Sequence, residues 1–384
     1  MTASFDISFP AVPVSPEADT LRLEVRAFLR EWLRDREPIK KAESWNGFDP
    51  AFSRAIGARG WIGMRWPKEY GGHGRSALER YVVIEEMLAA GAPVAAHWFA
   101  DRQSGPALLR YGTEAQRREI LPRIARGECY FAVGMSEPDS GSDLASVRTR
   151  AVDTADGFVV NGTKLWTSFA HHAHYMILFC KTESGEDRHG GTSQFLVDLA
   201  TPGIEIRPVL MLTGEHHFNE VVLRDVHLPK DALLGKRGDG WNQVMGELSF
   251  ERSGPERFLS SFTVLVELLR ELGPRPDARS TLAIGRIAAR MAVLRRMSRS
   301  VAGMLEASKD PALQAAIVKD LGAVLEQEIP EIARLLVNVQ PDPDSLNGLS
   351  AALAYTIQHA PSFSIRGGTR EILRGIIARG LGLR

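Results

Sequence analysis

Phe158-Val159-Val160-Asn161-Gly162-Thr163-Lys164-Leu165-Trp166-Thr167-Ser168 is the stretch on which the fold turns. Its β-branched and aromatic residues suit an extended chain, and Asn161-Gly162 is a dipeptide favoured in tight hairpin turns. Similar short runs surround it, at Tyr175 to Phe179, Gln194 to Val197, Ile204 to Ile206 and Glu220 to Leu223. They are parted by Asp156-Gly157, Gly190-Gly191 and Pro202-Gly203. This spacing predicts a small β-barrel or sandwich over residues 130–233. Because no strand alternates with a helix, a Rossmann sheet is not expected.

On both sides the period changes from two to about 3.6. Within residues 1–129, Leu21, Val25, Phe28, Leu29 and Trp32 recur at helical spacing, as does the stretch Ala77 to Ala90. Ser104 to Tyr111 ends at Gly112, and Thr113 is placed to cap a helix from Glu114 to Ala125. Within residues 234–384, Phe258, Phe262, Leu265 and Leu269, then Ile284, Ile287, Met291 and Leu294, mark the long helices of a four-helix bundle. The expected class is α+β: a helical N-terminal domain, a β middle domain and a C-terminal bundle. Arg290, Arg295, Arg296 and Arg299 are read as the solvated side of one bundle helix.

The 384 residues, 44% of them hydrophobic, suffice for two or three packed units. Forty-seven basic residues balance 47 acidic ones, so no net field favours nucleic acid or a membrane surface. Two cysteines without a CxxC pair suggest neither a disulfide framework nor a zinc cluster. Neither a signal peptide nor a membrane span of about 18 apolar residues is recognisable, so a cytoplasmic location is expected. His171, His172 and His174 lack a nearby carboxylate or cysteine partner and read as a polar loop at a strand entrance, with no metal expected.

Two segments carry chemistry. Met135-Ser136-Glu137-Pro138-Asp139-Ser140-Gly141-Ser142-Asp143, with Asn161 to Ser168, combines small residues and hydroxyls that let a flat or phosphorylated ligand approach the backbone. On local physics alone it is a pair of tight turns. Ile365-Arg366-Gly367-Gly368-Thr369-Arg370-Glu371-Ile372-Leu373-Arg374 reads as a double-glycine turn before an amphipathic helix whose N-terminus suits an anion. Gly60-Trp61 through Tyr70-Gly71-Gly72, and Asn219-Glu220-Val221-Val222 through Pro229 to Gly235 and Trp241, complete an ordered set. Together these segments resemble the acyl-CoA dehydrogenase family over nearly the whole chain.

That resemblance implies FAD as cofactor and α,β-dehydrogenation of an acyl-CoA to the 2-enoyl-CoA. Electrons would pass to an electron-transfer flavoprotein or similar acceptor. It assigns Met135, Ser136, Gly141, Ser142, Trp166, Ser168, Gly368, Thr369 and Glu371 to the flavin. Ser142, Arg252, Arg366 and Gly367 are assigned to the substrate. Many relatives carry the catalytic glutamate directly before the Gly-Thr of the C-terminal motif, where this chain has Gly367. A second lineage places it in a Glu-Arg pair on the first bundle helix, and Phe250-Glu251-Arg252 resembles that pair, making Glu251 the candidate base. Read without the resemblance, Glu251 is a solvated helix residue.

Pro255 cannot donate to the Glu251 carbonyl, which predicts a kink or a helix restart near Gly254. Arg366, if inward, would meet a polar group on the substrate; if outward, it is a surface cation. The segment Leu272 to Arg279 is shorter than the family's usual Arg-x-x-Phe-Gly stretch. It resembles two-component steroid and side-chain dehydrogenases, which leaves homo-oligomer (dimer or tetramer) and hetero-oligomer both open. Two alternative functions follow from the resemblance: an oxidase, monooxygenase or desulfinase, and a non-catalytic subunit completing a partner's site.

Overall fold

The structure, a computed structural model, describes residues 7–183 and 187–383. The chain divides into two compact units. One comprises Asp49–Gly74 and Ala96–Glu247, and the other Arg75–Ala95 with the chain up to Phe48 and from Leu248 onward.

The first unit is built on eight strands: β1 (Phe131–Gly134), β2 (Arg150–Asp153), β3 (Gly157–Ser168), β4 (Tyr175–Lys181), β5 (Thr192–Asp198), β6 (Ile204–Val209), β7 (Phe218–Pro229) and β8 (Leu233–Leu234). They form one sheet in the order β6-β7-β3-β2-β4-β5-β8, with β1 beside β4. Pairing is antiparallel except where β1 and β2 meet β4. Inward residues from strands across the sheet, among them Phe158, Val160, Met176, Phe195, Val221 and Val226, meet in one buried cluster. A single sheet around a single core therefore replaces the two facing sheets of a sandwich.

The stretch quoted first is one strand of twelve residues. Asn161-Gly162, expected to be a turn, is a bulge at which the β3–β7 register shifts between Val160 and Gly162. The reason is local. Asn161 Nδ2 donates to Asp225 at 2.9 Å and its Oδ1 accepts from the Asp225 amide at 2.8 Å, so the asparagine side chain bridges the interrupted ladder. In the same unit, Thr113 caps helix Glu114–Ala125 as the sequence predicts, and Gln116 bonds back to complete a capping box.

The second unit is helical. Helices Phe262–Leu272, Ala278–Glu306, Ala312–Leu336 and Gly348–Phe363 pack as a bundle, with Ala312–Leu336 touching the other three and helix Arg370–Gly380. Helices Pro16–Trp32 and Ala77–Ala89 belong to the same unit and are joined by ions. Arg22 bonds both Glu85 and Glu86, and Arg295 bonds Glu85 at 2.6 Å. The arginine run on helix Ala278–Glu306 is thus only partly its wet side: Arg296 is exposed and Arg290 and Arg295 are half-exposed, but three of the four have partners. Arg290 pairs with Glu328 and Arg299 donates to the Val12 carbonyl, whereas Leu282 and Val293 are exposed. Neighbouring acceptors, invisible to helical periodicity, decide where these guanidiniums turn. Helix Gly240–Glu251 stops before the glycine and proline, and a short turn restarts at Pro255–Arg257. Among the described residues, no helix is long and apolar enough to cross a membrane.

Candidate functional site

The sheet unit brings together the two runs that the sequence singles out. The Leu165 amide donates to the Ser136 carbonyl at 2.9 Å, laying Met135–Ser136 along the end of β3. Beneath them is a buried ion pair that the sequence reading does not predict. Lys164 Nζ, fully enclosed, bonds Glu137 Oε1 at 2.9 Å and the Met135 carbonyl at 3.0 Å. Glu137 also accepts from the amides of Arg148 at 2.6 Å and Thr149 at 2.9 Å. Burial alone would raise its carboxyl. The Lys164 charge and these donors outweigh that and hold it below the usual carboxylate range. The available signal is a lysine within an otherwise strand-forming run, where a charge needs a partner.

Beyond Lys164 the β3–β7 register shifts a second time, and Trp166 takes a left-handed φ of 61°. Its indole is 55% exposed, with Phe218 edge-on at 5.7 Å. Ser168 is half-buried opposite Phe218, and Thr167 Oγ1 is buried without a hydrogen-bond partner. Gly141 and Ser142 are exposed on the bend that follows the turn closed by mutual backbone bonds of Glu137 and Ser140. A Cβ at Gly141 would meet nothing within 4 Å. Met135 and Ser136 thus lie along the end of β3 that carries Trp166 and Ser168, with Gly141 and Ser142 on the bend that follows.

The helical unit holds the other candidates. Gly367 and Gly368 adopt φ values of 68° and 101°, which side chains disfavour, and Thr369 caps helix Arg370–Gly380. Arg252 is buried and its Nε donates to the Gly367 carbonyl at 3.2 Å, tying the residue after Glu251 to the double-glycine turn. A Cβ at Gly367 would lie 2.8 Å from Nη2 of Arg257, itself buried, so a guanidinium fills the space a side chain there would need. Glu371 is exposed on the first helical turn, where negative charge is favoured. The side chain of Glu251 lies outside the described residues.

Arg366 turns inward, but its partner is the protein's own carboxylate. Its guanidinium lies 4.7 Å from the ring centroids of both Trp45 and Phe363, and Nη2 meets Glu326 Oε2 at 3.2 Å and the Ser260 hydroxyl. Glu326 is almost wholly buried. Of the two orientations open from the sequence, the inward one is found, and the group it meets is this internal carboxylate, which once buried needs a cation.

Residues 15–128 match the acyl-CoA dehydrogenase N-terminal domain and residues 132–226 its middle domain. The acyl-CoA dehydrogenase IpdE1 of Mycobacterium tuberculosis is 34% identical, over 94% of this chain and 97% of the relative. FadE26 of the same organism is 32% identical over 95% and 96%. Among solved structures, the Tcur3481-Tcur3483 steroid ACAD superposes with a TM-score of 0.85 at 28% identity, covering 97% of this chain and 98% of that one. The ChsE4-ChsE5 complex from Mycobacterium tuberculosis gives 0.82 at 29% identity, covering 98% of this chain and 100% of that one. With both domains matched in order and relatives aligned nearly end to end, the chain belongs to the acyl-CoA dehydrogenase family of oxidoreductases.

Proposed function

We propose that this chain catalyses FAD-dependent α,β-dehydrogenation of an acyl-CoA to the 2-enoyl-CoA, with Glu251 as the base. Electrons then pass to an electron-transfer flavoprotein or similar acceptor. The residues present fit the flavin. The exposed indole of Trp166 offers a flat face braced by Phe218, Thr167 Oγ1 is buried without a partner, and the turn at Gly141 is open. Met135, Ser136, Gly141, Ser142, Trp166 and Ser168 are the sheet residues assigned to it; Gly368, Thr369 and Glu371 are assigned to it by the family resemblance alone. Bound FAD supplies the acceptor for the β-hydrogen as hydride.

The observation that carries the assignment of Glu251 is the Arg252–Gly367 bond, which fastens the end of helix Gly240–Glu251 to a turn with no carboxylate of its own. Glu251 removes the α-proton, a step that a positioned carboxylate accelerates by about 10²–10⁴. Arg252 and Gly367, joined by that bond, would line the thioester end; Ser142 is assigned to the substrate by the family resemblance alone. Anaerobic bleaching of the flavin, tested with straight-chain, branched and ring-bearing acyl-CoAs, should identify the substrate class. Glu251→Gln should slow bleaching by at least about a hundredfold. Unchanged bleaching would move the base elsewhere, to Glu247 first.

The chain assembles with a second family member, as the two-protein names of the steroid ACAD and the ChsE4-ChsE5 complex support. Leu282, Val293, Leu321 and Leu335, exposed on two long helices, supply apolar surface for such an interface. If the chain is the non-catalytic member, it will neither retain FAD nor desaturate any acyl-CoA until that partner is added.

A further inference from the structure

Two histidines that the chemistry above does not use converge on one atom. His171, on the short turn before β4, and His216, on the connection into β7, stack with centroids 3.8 Å apart and planes 14° from parallel. Nδ1 of His171 lies 3.1 Å, and Nε2 of His216 2.8 Å, from Oδ1 of Asn219. Asn219 is fully buried, and its Nδ2 donates to the Thr167 carbonyl at 3.0 Å. The amide is thus oriented from both ends, with two imidazole N–H groups on its oxygen and a backbone carbonyl on its nitrogen.

The position of that carbonyl gives the cluster its meaning. Thr167 directly follows Trp166, whose left-handed backbone is strained and persists only if its surroundings hold it. Asn219 faces Thr167 across the ladder where the register shifts. Each imidazole commits one ring nitrogen to Asn219, so the pair is arranged to fix an amide.

We propose that His171 and His216, acting through Asn219, are positioning residues that hold the Trp166 bulge in the shape that receives the flavin. The flavin part of this rests on the function proposed above. The ionisable groups facing His171 are His172 on its own turn and His216 and His217 from the opposite connection. Burial first, then these three neighbours, push His171 down to about 4, so the ring is neutral at physiological pH.

The test uses Asn219→Ala and, should that variant not fold, His216→Phe, which keeps the stacked ring and deletes the donor. Trp166→Phe identifies the contribution of Trp166 to near-ultraviolet circular dichroism of the FAD-free protein. Both clamp variants should lose that contribution while keeping wild-type far-ultraviolet spectra. FAD titration should show affinity about tenfold weaker, the scale of one lost hydrogen bond. In a Trp166→Phe background the same substitutions should weaken it by less than about twofold, because the clamp acts through that residue. A retained Trp166 signal, or an undiminished tenfold effect in the Trp166→Phe background, overturns the proposal. A wild-type protein that binds no FAD would remove the flavin reading, and the dichroism comparison would still decide whether the clamp exists.

Discussion

Lys164 and Glu137, 27 residues apart, form a 2.9 Å ion pair with both side chains withdrawn from solvent, directly beneath the run that carries Met135 and Ser136. Both residues lie within the segments on which family resemblance rests, yet both are buried. Their work is mechanical: the lysine reaches the Met135 carbonyl and the glutamate takes the Arg148 and Thr149 amides, joining three stretches of backbone. Glu137→Gln removes the counter-charge of a buried lysine, and breaking such a pair costs about 3–5 kcal/mol. Thermal denaturation should show that loss, and FAD retention on gel filtration should fall with it. Replacing both residues by apolar ones of similar volume should recover most of the stability without recovering the flavin.

Gly367 is not an interchangeable seat for the base. A glutamate there would meet Arg257 beside it, and the guanidinium would hold the new carboxylate ionised and weakly basic. The left-handed φ of 68° adds about 1–2 kcal/mol of strain. Glu251→Gln/Gly367→Glu should therefore stay at least about a hundredfold below wild type in reductive half-reaction rate. Adding Arg257→Ala should raise that rate. A double variant as active as wild type would contradict this reading.

Arg366 is expected to matter for stability rather than for acyl selectivity. Arg366→Ala leaves Glu326 buried opposite an empty space, with a loss of about 3–5 kcal/mol. Competitive binding of a carboxylated and a neutral acyl-CoA of equal length should give the same ratio in variant and wild type. A ratio shifted more than about threefold would return Arg366 to the substrate, since a charge-assisted hydrogen bond is worth about 1.5–3 kcal/mol.

Acid should loosen the helical unit through Glu85. Burial opposes ionisation there, but bonds from Arg295 and Arg22 outweigh it, so its folded value is depressed. The stabilisation is complete above the unfolded value and disappears as pH falls through the lower, folded one. Melting temperature should therefore be level near neutrality and decline below about pH 4.5. Glu85→Gln should lower the plateau and flatten the decline. Arg26, which bonds Glu86 at 2.6 Å but is half-exposed, should contribute less than about 1 kcal/mol when changed to Ala.

Much of this was legible in the linear order of residues. Helical and strand periods marked out a helical, a β and a second helical stretch, and the Thr113 cap and the break at Pro255 appeared where local chemistry required them. These features depend on neighbours within a few residues, which is the range that periodicity and capping rules cover. Glu251 as base is of a different kind: the resemblance of Phe250-Glu251-Arg252 to a family pair implies it, and it stands as a proposal.

What the linear order could not supply was every feature that depends on a distant partner. Asn161-Gly162 has the composition of a turn and becomes a bulge because Asp225, 64 residues on, takes both ends of the asparagine amide. Whether Arg366 turned in or out was open until folding placed the buried Glu326 beside it, and Arg295, still half-exposed, reaches Glu85. Amino-acid order set the periods, caps and breaks. Tertiary packing alone decided the partners, because the cost of burying a charge or an amide is met only by whatever residue the fold happens to bring within hydrogen-bond reach.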